Sequence, residues 1–461
     1  MNKKLINICY WLIICLLAFL IHWSHPINSD EGIILTGAWR IMQGQIPYLD
    51  FFDFITPGSF YFLAIIFKLF GANYLVAKLI SILLLIISGV GIYLISDFYF
   101  KKNFYKYLTP IIWLMFSAFY PLINHNQYSI YILIWSFYFF IKSFNLNSAK
   151  YYFITGVLSG LTFWFLQVKG AVIIFTIIFL FLLYNRKNIK KLFYYFLGLI
   201  ITLIPLLYWS PDVLWFIFIK FPFENYISVN TINPSILIIG LILYFINLFF
   251  GIIKTEQKEI YFLWWLGLFL ILSTGQRSDL PHIMINSWPL IIIIFFNLAK
   301  PEIQKIKKII LMIINWICLI IIFPFFLIYS LPDNILLQNN IKFWDKIRLK
   351  NKWLSEVDTY VKNITTDNDY IYAGPFIPNF YFELNRKNPT RFNILITEHH
   401  PKNFFLEAAA DLKNKKPKII ILEYNIVKKF NYNKNNVVDE FIWKNYQLDK
   451  DFFGVQILKL K

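Results

Sequence analysis

The chain has 461 residues, of which 58% are hydrophobic and 20% aromatic, and its mean hydropathy is +0.57. A soluble protein of this size is rarely so apolar, so the composition predicts an integral membrane protein. The net charge is +18, but Lys and Arg cluster beside hydrophobic runs and no nucleic-acid-binding motif accompanies them. The charge therefore indicates membrane topology and contact with anionic membrane lipids, and it argues against a nucleic-acid partner.

The first apolar run begins directly after Met-Asn-Lys-Lys, as in a signal peptide. No small-residue cleavage site follows it, so we expect an uncleaved first helix. The three cysteines, Cys9, Cys15 and Cys318, fall inside apolar runs. They are expected to act as small core residues, since thiols in such runs form neither a disulfide framework nor a thiolate metal site.

Apolar runs long enough for a spanning helix recur along the first two thirds of the chain, and about eleven are predicted. They lie near residues 5–23, 74–96, 107–121, 127–144, 151–167, 170–184, 192–209, 235–253, 260–273, 283–299 and 309–330. The run at 57–70 is too short and broken to span alone. Together with the periodic stretch at 31–43, it predicts helices lying along the membrane surface within a long first loop, residues 24–73.

Basic residues fall in alternate connections between the predicted spans, which places those connections in the cytoplasm. These residues are Lys3, Lys4, Lys101, Lys102, Lys106, Arg186, Lys187, Lys190, Lys191, Lys305, Lys307 and Lys308. The first loop and the connections near 122–126, 168–170, 210–234 and 274–282 then face outward. An odd number of spans also places the C-terminal segment outside.

The composition changes after Ser330, where Lys, Asn and Asp become frequent. Short apolar runs at Tyr370–Ala373, Ile419–Leu422 and Val455–Leu458 predict buried strands, and the patterns near 342–362 and 402–414 predict helices. The predicted fold class is therefore a polytopic α-helical membrane protein with a C-terminal α/β extracytoplasmic domain. Its predicted domains are a transmembrane domain, residues 1–330, and the α/β domain, residues 331–461.

The first outer loop reads HPINSDEGIILTGAWRIMQGQIPYLDFFDFITPG and carries four carboxylates: Asp30, Glu31, Asp50 and Asp53. Carboxylates at a membrane edge are costly unless they are solvated, paired or functional. One held near apolar walls can act as a general base that deprotonates an attacking hydroxyl. Two other interpretations stay open: Asp30 caps the following helix, or Asp50 and Asp53 are loop acids that pair with Arg40.

A second group of polar residues lies in GQRSDLPHIMINSWP, residues 275–289, where Arg277, Asp279 and His282 precede or begin an apolar run. Arg and His at a helix start beside the bilayer suit a phosphate group at headgroup level, although snorkelling to the interface would also explain Arg277. Lys169, in a short connection assigned to the outer side, breaks the positive-inside pattern and calls for an anionic partner. His125 is better explained as a polar turn residue.

Metal-binding patterns are weak in this sequence. His and Glu never occur at zinc spacing, and there is no phosphate-binding loop. The Asp-x-Asp run at 367–369 directly precedes a predicted strand, where a turn is the better interpretation. We therefore expect no cofactor, and a divalent metal has no supporting motif.

Several motifs together resemble a known family. The run SDEG, then AWRIMQGQIPYLDF, then PGSFYF and KLFG, is similar to the first-loop signature of bacterial membrane glycosyltransferases of the C fold. This family is related to the protein O-mannosyltransferases and to the aminoarabinose transferase that modifies lipid A. Residues 371–391, IYAGPFIPNFYFELNRKNPTR, also resemble the start of the terminal domain in such enzymes.

The resemblance implies roles for particular residues. Asp30 matches the catalytic carboxylate of the family, and Glu31 matches the second acid of the adjacent pair in the mannosyltransferases. Lys169, Arg277 and His282 fall where related enzymes keep basic residues near the donor phosphate. Some relatives bind a divalent metal through further acidic motifs, and this sequence has no convincing second motif of that kind.

The resemblance implies an inverting glycosyltransferase in the bacterial cytoplasmic (inner) membrane. Its donor would be a polyprenyl-phosphate sugar, and its acceptor an envelope glycan, a glycolipid or a protein on the outer face. Asp50 and Asp53 are predicted to contact substrate with the basic residues. A lipid-linked saccharide transporter or flippase, a polysaccharide polymerase or ligase, and a non-enzymatic scaffold remain alternatives. The transporter would require charges deep inside several spans and an internal repeat, and the sequence shows neither.

Overall fold

The structure is a computed structural model that describes residues 3–23, 27–101, 103–118, 120–226, 234–252, 257, 259–275, 277–299 and 355–461. Helices dominate the chain up to residue 299. Their bounds are α1 Lys3–Trp23, α2 Ser29–Met42, α3 Gly58–Phe70, α4 Tyr74–Phe100, α5 Tyr105–Ser117, α6 His125–Leu146, α7 Ala149–Phe165, α8 Gln167–Tyr184, α9 Leu192–Leu203, α10 Pro211–Trp215, α11 Pro234–Asn247, α12 Glu259–Leu272, α13 Leu280–Asn286 and α14 Trp288–Ala299.

A helix lies at each predicted span from 5–23 to 283–299, while the span at 309–330 lies outside the described residues. The two predicted loop helices are α2 and α3. Among the described residues, four helical segments are long and apolar enough to cross a membrane: α4, α6, α8 and Arg186–Tyr208. A fifth is counted if α13 and α14, bent by 58°, form one broken span. The full set of eleven spans stays a prediction.

The described residues form two compact units. Unit 1 contains the described parts of Met1–Ser24, Leu79–Tyr208 and Thr231–Gln338. Unit 2 contains those of His25–Lys78, Trp209–Asn230 and Asn339–Lys461. The described parts of the first outer loop and of the C-terminal segment thus fall in the same unit, and the predicted division into domains stays a prediction. The predicted boundary at 330–331 itself lies outside the described residues.

Glycines allow two helices of unit 1 to pack closely. A Cβ atom on Gly156 of α7 would lie 2.0 Å from the carbonyl oxygen of Tyr195 in α9. A Cβ atom on Gly198 of α9 would lie 2.3 Å from the carbonyl oxygen of Phe153. Backbone atoms cannot move aside as a flexible side chain can, so glycine at these two positions sets the α7–α9 distance.

The C-terminal part of unit 2 is an α/β structure. Its helices are α15 (355–364), α16 Asn379–Leu384, α17 Lys402–Lys415 and α18 Val437–Asn445. Its strands are β1 Ile371–Gly374, β2 Ile419–Leu422, β3 Tyr446–Phe452 and β4 Val455–Leu460. They form one sheet in the order β1-β2-β4-β3, in which β1 and β2 are parallel and the other pairs antiparallel.

Alternate residues of the strands face a buried core. Ile371, Ile419, Ile421 and Ile457 pack with helices α15 and α16 on one face of the sheet. The β3–β4 hairpin turns at Phe453 and Gly454, whose φ angles are 54° and 97°. Positive φ at both central residues is typical of the tight turns that match strand twist. The sheet thus confirms the three predicted strands and adds β3.

The loop helices contact the C-terminal segment within unit 2. The Thr36 hydroxyl in α2 donates to the Pro378 carbonyl at 2.7 Å, and the Trp39 indole N–H donates to Asn385 Oδ1 at 3.0 Å. A Cβ atom on Gly32 would lie 2.5 Å from the backbone nitrogen of Asn379. Helix α2 therefore begins against backbone of the terminal segment, at the place where Asp30 and Glu31 are held.

The close packing of α7 on α9 predicts the effect of a single added methyl group. Gly156→Ala should destabilise the protein by about 1–3 kcal/mol, because the new Cβ forces the helices apart. Gly89→Ala is the matched control, since a Cβ at Gly89 of α4 meets nothing within 4 Å. Thermal unfolding of the purified protein in detergent should show a lower melting temperature for Gly156→Ala alone. Equal melting temperatures would contradict the packing role.

Candidate functional site

The acidic pair lies in the first turn of α2, which begins with a capping box. Asn28 is the N-cap residue, and its Oδ1 accepts the Glu31 N–H at 2.9 Å. In return, Glu31 Oε2 accepts the Asn28 N–H at 3.3 Å. Such reciprocal bonds satisfy two of the free N–H groups at a helix start. Asn28 therefore fills the capping role that the sequence left open for Asp30.

Glu31 is firmly fixed by its surroundings. It is 3% exposed and also accepts the Tyr74 hydroxyl at 3.2 Å. The buried Lys78 interacts electrostatically with the same carboxylate. A buried carboxylate held by a capping bond, a phenol and a cation serves to orient the helix start. Glu31 is thus placed to fix the helix turn that carries Asp30.

The Asp30 carboxylate differs from that of Glu31 in its contacts. Asp30 is half-buried, and the described residues provide no hydrogen bond or ion pair to its side chain. Its backbone is fixed because helix α2 is capped by Asn28 and packed against Asn379. A carboxylate with a fixed backbone and free oxygens can accept a proton from a hydroxyl that approaches it.

The other two loop carboxylates are bound locally. Asp50 is exposed, and its Oδ2 accepts the Ile46 N–H at 2.7 Å. Asp53 is 7% exposed, and its Oδ1 accepts the N–H groups of Phe54 and Ile55 at 2.8 and 3.2 Å. In the described structure, neither carboxylate forms a hydrogen bond or ion pair with Arg40. The Arg40 guanidinium instead donates to the backbone carbonyl of Asp50 at 3.1 Å.

Burial makes Asp53 electrostatically unusual. The loss of solvent raises the pKa of its carboxyl to about 7, although the N–H bonds from Ile55 and Phe54 act in the opposite direction. A carboxyl with a pKa near neutrality changes its charge within the physiological range.

In unit 1, Arg277 and His282 share one carboxylate. Asp279 caps helix α13, and its Oδ1 accepts the His282 backbone N–H at 3.0 Å and the His282 Nδ1–H at 2.5 Å. Its Oδ2 accepts the Arg277 Nε–H at 3.1 Å. Burial would raise the pKa of Asp279, but the His282 hydrogen bond and the Arg277 charge outweigh it and lower the pKa to about 2. Asp279 is thus an anion that orients two cationic or proton-bearing groups.

The other side of the His282 ring meets residues that the sequence did not single out. Because Nδ1 donates to Asp279, the neutral ring accepts at Nε2, where the Tyr120 hydroxyl lies 2.9 Å away. Asn126 Nδ2 donates to the same Tyr120 oxygen at 3.0 Å and lies 3.0 Å from His125 Nε2. His125, predicted to be a polar turn residue, therefore belongs to this hydrogen-bonded cluster.

Lys169 lies at the start of α8, also in unit 1. It is 3% exposed, and its ammonium group donates to the Ser273 hydroxyl at 2.9 Å. The described residues provide no carboxylate ion pair for it. Its charge interacts electrostatically with His282. A buried ammonium without a carboxylate partner favours an anionic ligand.

The predicted site residues thus divide between the two units. Asp30, Glu31, Asp50 and Asp53 lie in unit 2, while Lys169, Arg277 and His282 lie in unit 1. Tyr120 is an addition made by the structure, and the contacts of Asp279 with Arg277 and His282 are also visible only in the fold. Within the described ranges, His, Cys, Asp and Glu form no group of three or more that could hold a metal ion. The expectation about metals stays a prediction.

The raised pKa of Asp53 predicts a pH-dependent stability. The folded state favours the protonated carboxyl, whereas the unfolded state ionises near 3.8. Stability should therefore fall as the pH rises from about 4 to about 7, by up to about 4 kcal/mol. Asp53→Asn keeps both N–H bonds and removes this loss. Melting temperatures measured from pH 5 to 8 should fall for the native chain relative to Asp53→Asn; parallel profiles would contradict the burial effect.

Comparison with known proteins gives one family match. The sequence family described as Dolichyl-phosphate-mannose-protein mannosyltransferase (PMT_2) matches residues 55–209 of the chain. This region starts just after Asp53 and extends through helices α3 to α9. Among curated proteins, none matches the chain.

Solved structures match over the whole chain. ArnT from Cupriavidus metallidurans bound to undecaprenyl phosphate has a TM-score of 0.65 at 10% identity, and the match covers 99% of this chain and 98% of that one. The same protein in its apo state gives 0.63 at 11% identity, with the same two coverages. These comparisons confirm the predicted resemblance: the chain has the fold of the C-fold membrane glycosyltransferases.

Proposed function

We propose that the protein transfers a sugar from a polyprenyl-phosphate donor to an acceptor hydroxyl at the outer face of the bacterial inner membrane. The observation that carries the proposal is the C fold over 99% of the chain, combined with Asp30 in the first outer loop, a carboxylate to which the described residues offer no hydrogen bond or ion pair. The matched family acts with dolichyl-phosphate mannose, and the matched ArnT structure holds undecaprenyl phosphate. The acceptor is an envelope glycan, a glycolipid or a protein.

Asp30 acts as the general base. As the acceptor hydroxyl attacks the anomeric carbon, its proton passes to the Asp30 carboxylate, and a new carbon–oxygen bond forms with inversion. A positioned base contributes about 10²–10⁴-fold to rate. Glu31 supports this step indirectly, because the capping box and the Tyr74 bond fix the first turn that carries Asp30.

The bond that breaks joins the anomeric carbon to the phosphate oxygen of the donor. Its electron pair leaves with the polyprenyl phosphate, so negative charge grows on that group. Arg277 and Lys169 supply positive charge, and His282 can donate a hydrogen bond from Nε2 when that nitrogen carries a proton. Preorganised cations stabilise developing charge without costly rearrangement. Asp279 contributes by holding the Arg277 and His282 side chains in fixed orientations.

The segments that make up unit 2 support an outer location for the loop that carries Asp30 and Glu31. Described parts of residues 25–78, which include most of the first outer loop, and of residues 339–461 fold into one compact unit. Because they form one unit, they must lie on the same side of a membrane. The alternation of basic connections assigns both to the outer side. This agreement supports transfer on the outer face.

Loss of the Asp30 charge should abolish most transfer. Asp30→Asn is expected to lower the transfer rate about 10²–10⁴-fold, measured with radiolabelled polyprenyl-phosphate sugars in proteoliposomes. Asp212→Asn is the matched control, since Asp212 is an exposed carboxylate of the same unit. Equal membrane abundance of the three proteins is required. Full activity of Asp30→Asn would exclude Asp30 as the base, and absence of transfer by the native chain across a broad donor panel would contradict the proposed function.

Arg277 should act mainly on the lipid phosphate. Arg277→Gln is expected to weaken inhibition by undecaprenyl phosphate about tenfold or more, because a charge-assisted hydrogen bond to phosphate is lost. Arg186→Gln, at an exposed predicted cytoplasmic connection, serves as the control. If both variants and the native chain were inhibited equally, the phosphate would not bind near Arg277.

A further inference from the structure

Unit 2 contains a polar cavity of about 490 Å³ that the transfer mechanism does not use. Helix α2 and the following loop form one wall, including Trp39 and Arg40, and residues 387–391 with helix α17 form another. All of its lining residues belong to unit 2. The volume suits a small ligand of one or two sugar rings.

The base of this cavity is a buried cation. Arg40 is 3% exposed, and its guanidinium donates to Gln45 Oε1 at 2.6 Å, Asn393 Oδ1 at 2.9 Å and the Thr390 carbonyl at 3.2 Å. The guanidinium is thereby fixed in position. Preorganised side chains reduce the entropy that a ligand must lose on binding.

Positive charge exceeds negative charge in the lining. Four basic residues, Arg40, Lys387, Arg391 and Lys415, face two carboxylates, Asp50 and Asp411. Both carboxylates have partners within the protein: Asp50 accepts the Ile46 N–H, and Asp411 lies 4.0 Å from the Lys415 ammonium. Lys387 is exposed and, within the described residues, its ammonium has no hydrogen bond or ion pair. The cavity therefore offers an uncommitted cation to an anion.

Neutral groups of the lining favour a hydroxylated ligand. Gln45 accepts a hydrogen bond from Arg40 through its side-chain oxygen, so its NH₂ group remains available to a ligand. The side-chain amide of Gln43 also lines the cavity, and the described residues form no hydrogen bond with it. The rings of Trp39 and Tyr370 provide flat surfaces with polar edges. The lining contains no aliphatic side chain, which argues against an acyl chain as the occupant.

From this combination we propose that the cavity binds an anionic saccharide, a sugar that carries a carboxylate or a phosphate. Lys387 contacts the anionic group, the amides of Gln43 and Gln45 contact hydroxyls, and an aromatic ring covers one sugar face. The inference depends on unit 2 alone and stands apart from the transfer reaction. It is tested by binding in the absence of any lipid donor.

The test is isothermal titration of the full chain in detergent, at low salt, with glucuronic acid and glucose 6-phosphate. Glucose and glycerol 3-phosphate are the comparison ligands. We expect binding of about millimolar affinity or tighter for at least one anionic sugar, and binding about tenfold or more weaker for both comparison ligands. Lys387→Glu should lower the affinity about fivefold or more, because a cation is replaced by an anion.

Lys413→Glu provides the matched control, since Lys413 is exposed on α17 and lies outside the cavity lining. Its affinity should equal that of the native chain. No heat of binding with either anionic sugar would overturn the proposal. The proposal would also be overturned if glucose or glycerol 3-phosphate bound as tightly as the anionic sugars. An equal loss of affinity in Lys387→Glu and Lys413→Glu would overturn it as well.

Discussion

The buried guanidinium of Arg40 joins two distant parts of the chain. Within unit 2 it links the first outer loop, through Gln45 and the Asp50 carbonyl, to Thr390 and Asn393 of the C-terminal segment. Burial lowers the pKa of Arg40 to about 10, and the side chain stays charged at neutral pH. Because a buried charge without partners is very costly, these oxygens and the guanidinium require each other. The start of α2, which carries Asp30, is part of the structure that this contact stabilises.

The need of a buried charge for partners also shapes the polar cluster of unit 1, which is formed by Asp279, Arg277 and His282. Asp279 neutralises Arg277 and accepts a hydrogen bond from the His282 ring, so the apolar helices around it enclose a paired group. Lys169 has a hydroxyl partner and no described carboxylate. In the proposed reaction, negative charge grows on the lipid phosphate as it leaves. Cations that are fixed in position but only partly neutralised by the protein can pair with this charge and stabilise it. Electrostatics thus connects the stability of this cluster with its proposed role.

Much of the fold could be predicted from hydrophobic pattern. The amphipathic loop helices Ser29–Met42 and Gly58–Phe70 and the strand Ile419–Leu422 confirm their predictions, because apolar period and length identify such elements. Strand Tyr446–Phe452 was missed because its charged residues alternate with few apolar ones and its stability comes from pairing with β4. The capping box of Asn28 and the contacts of Tyr120 with His282 depend on side-chain directions and on residues 162 positions apart, which sequence spacing does not reveal.

The proposed function therefore depends on residues that motif resemblance identifies and on others whose contacts within each unit only the fold reveals. The most direct measurement for the proposed function is an experimental structure of the protein with bound undecaprenyl phosphate. Our account predicts the lipid phosphate within hydrogen-bonding distance of Arg277, Lys169 or His282, with the Asp30 carboxylate open to an acceptor. A phosphate bound away from all three residues would contradict the proposed donor site.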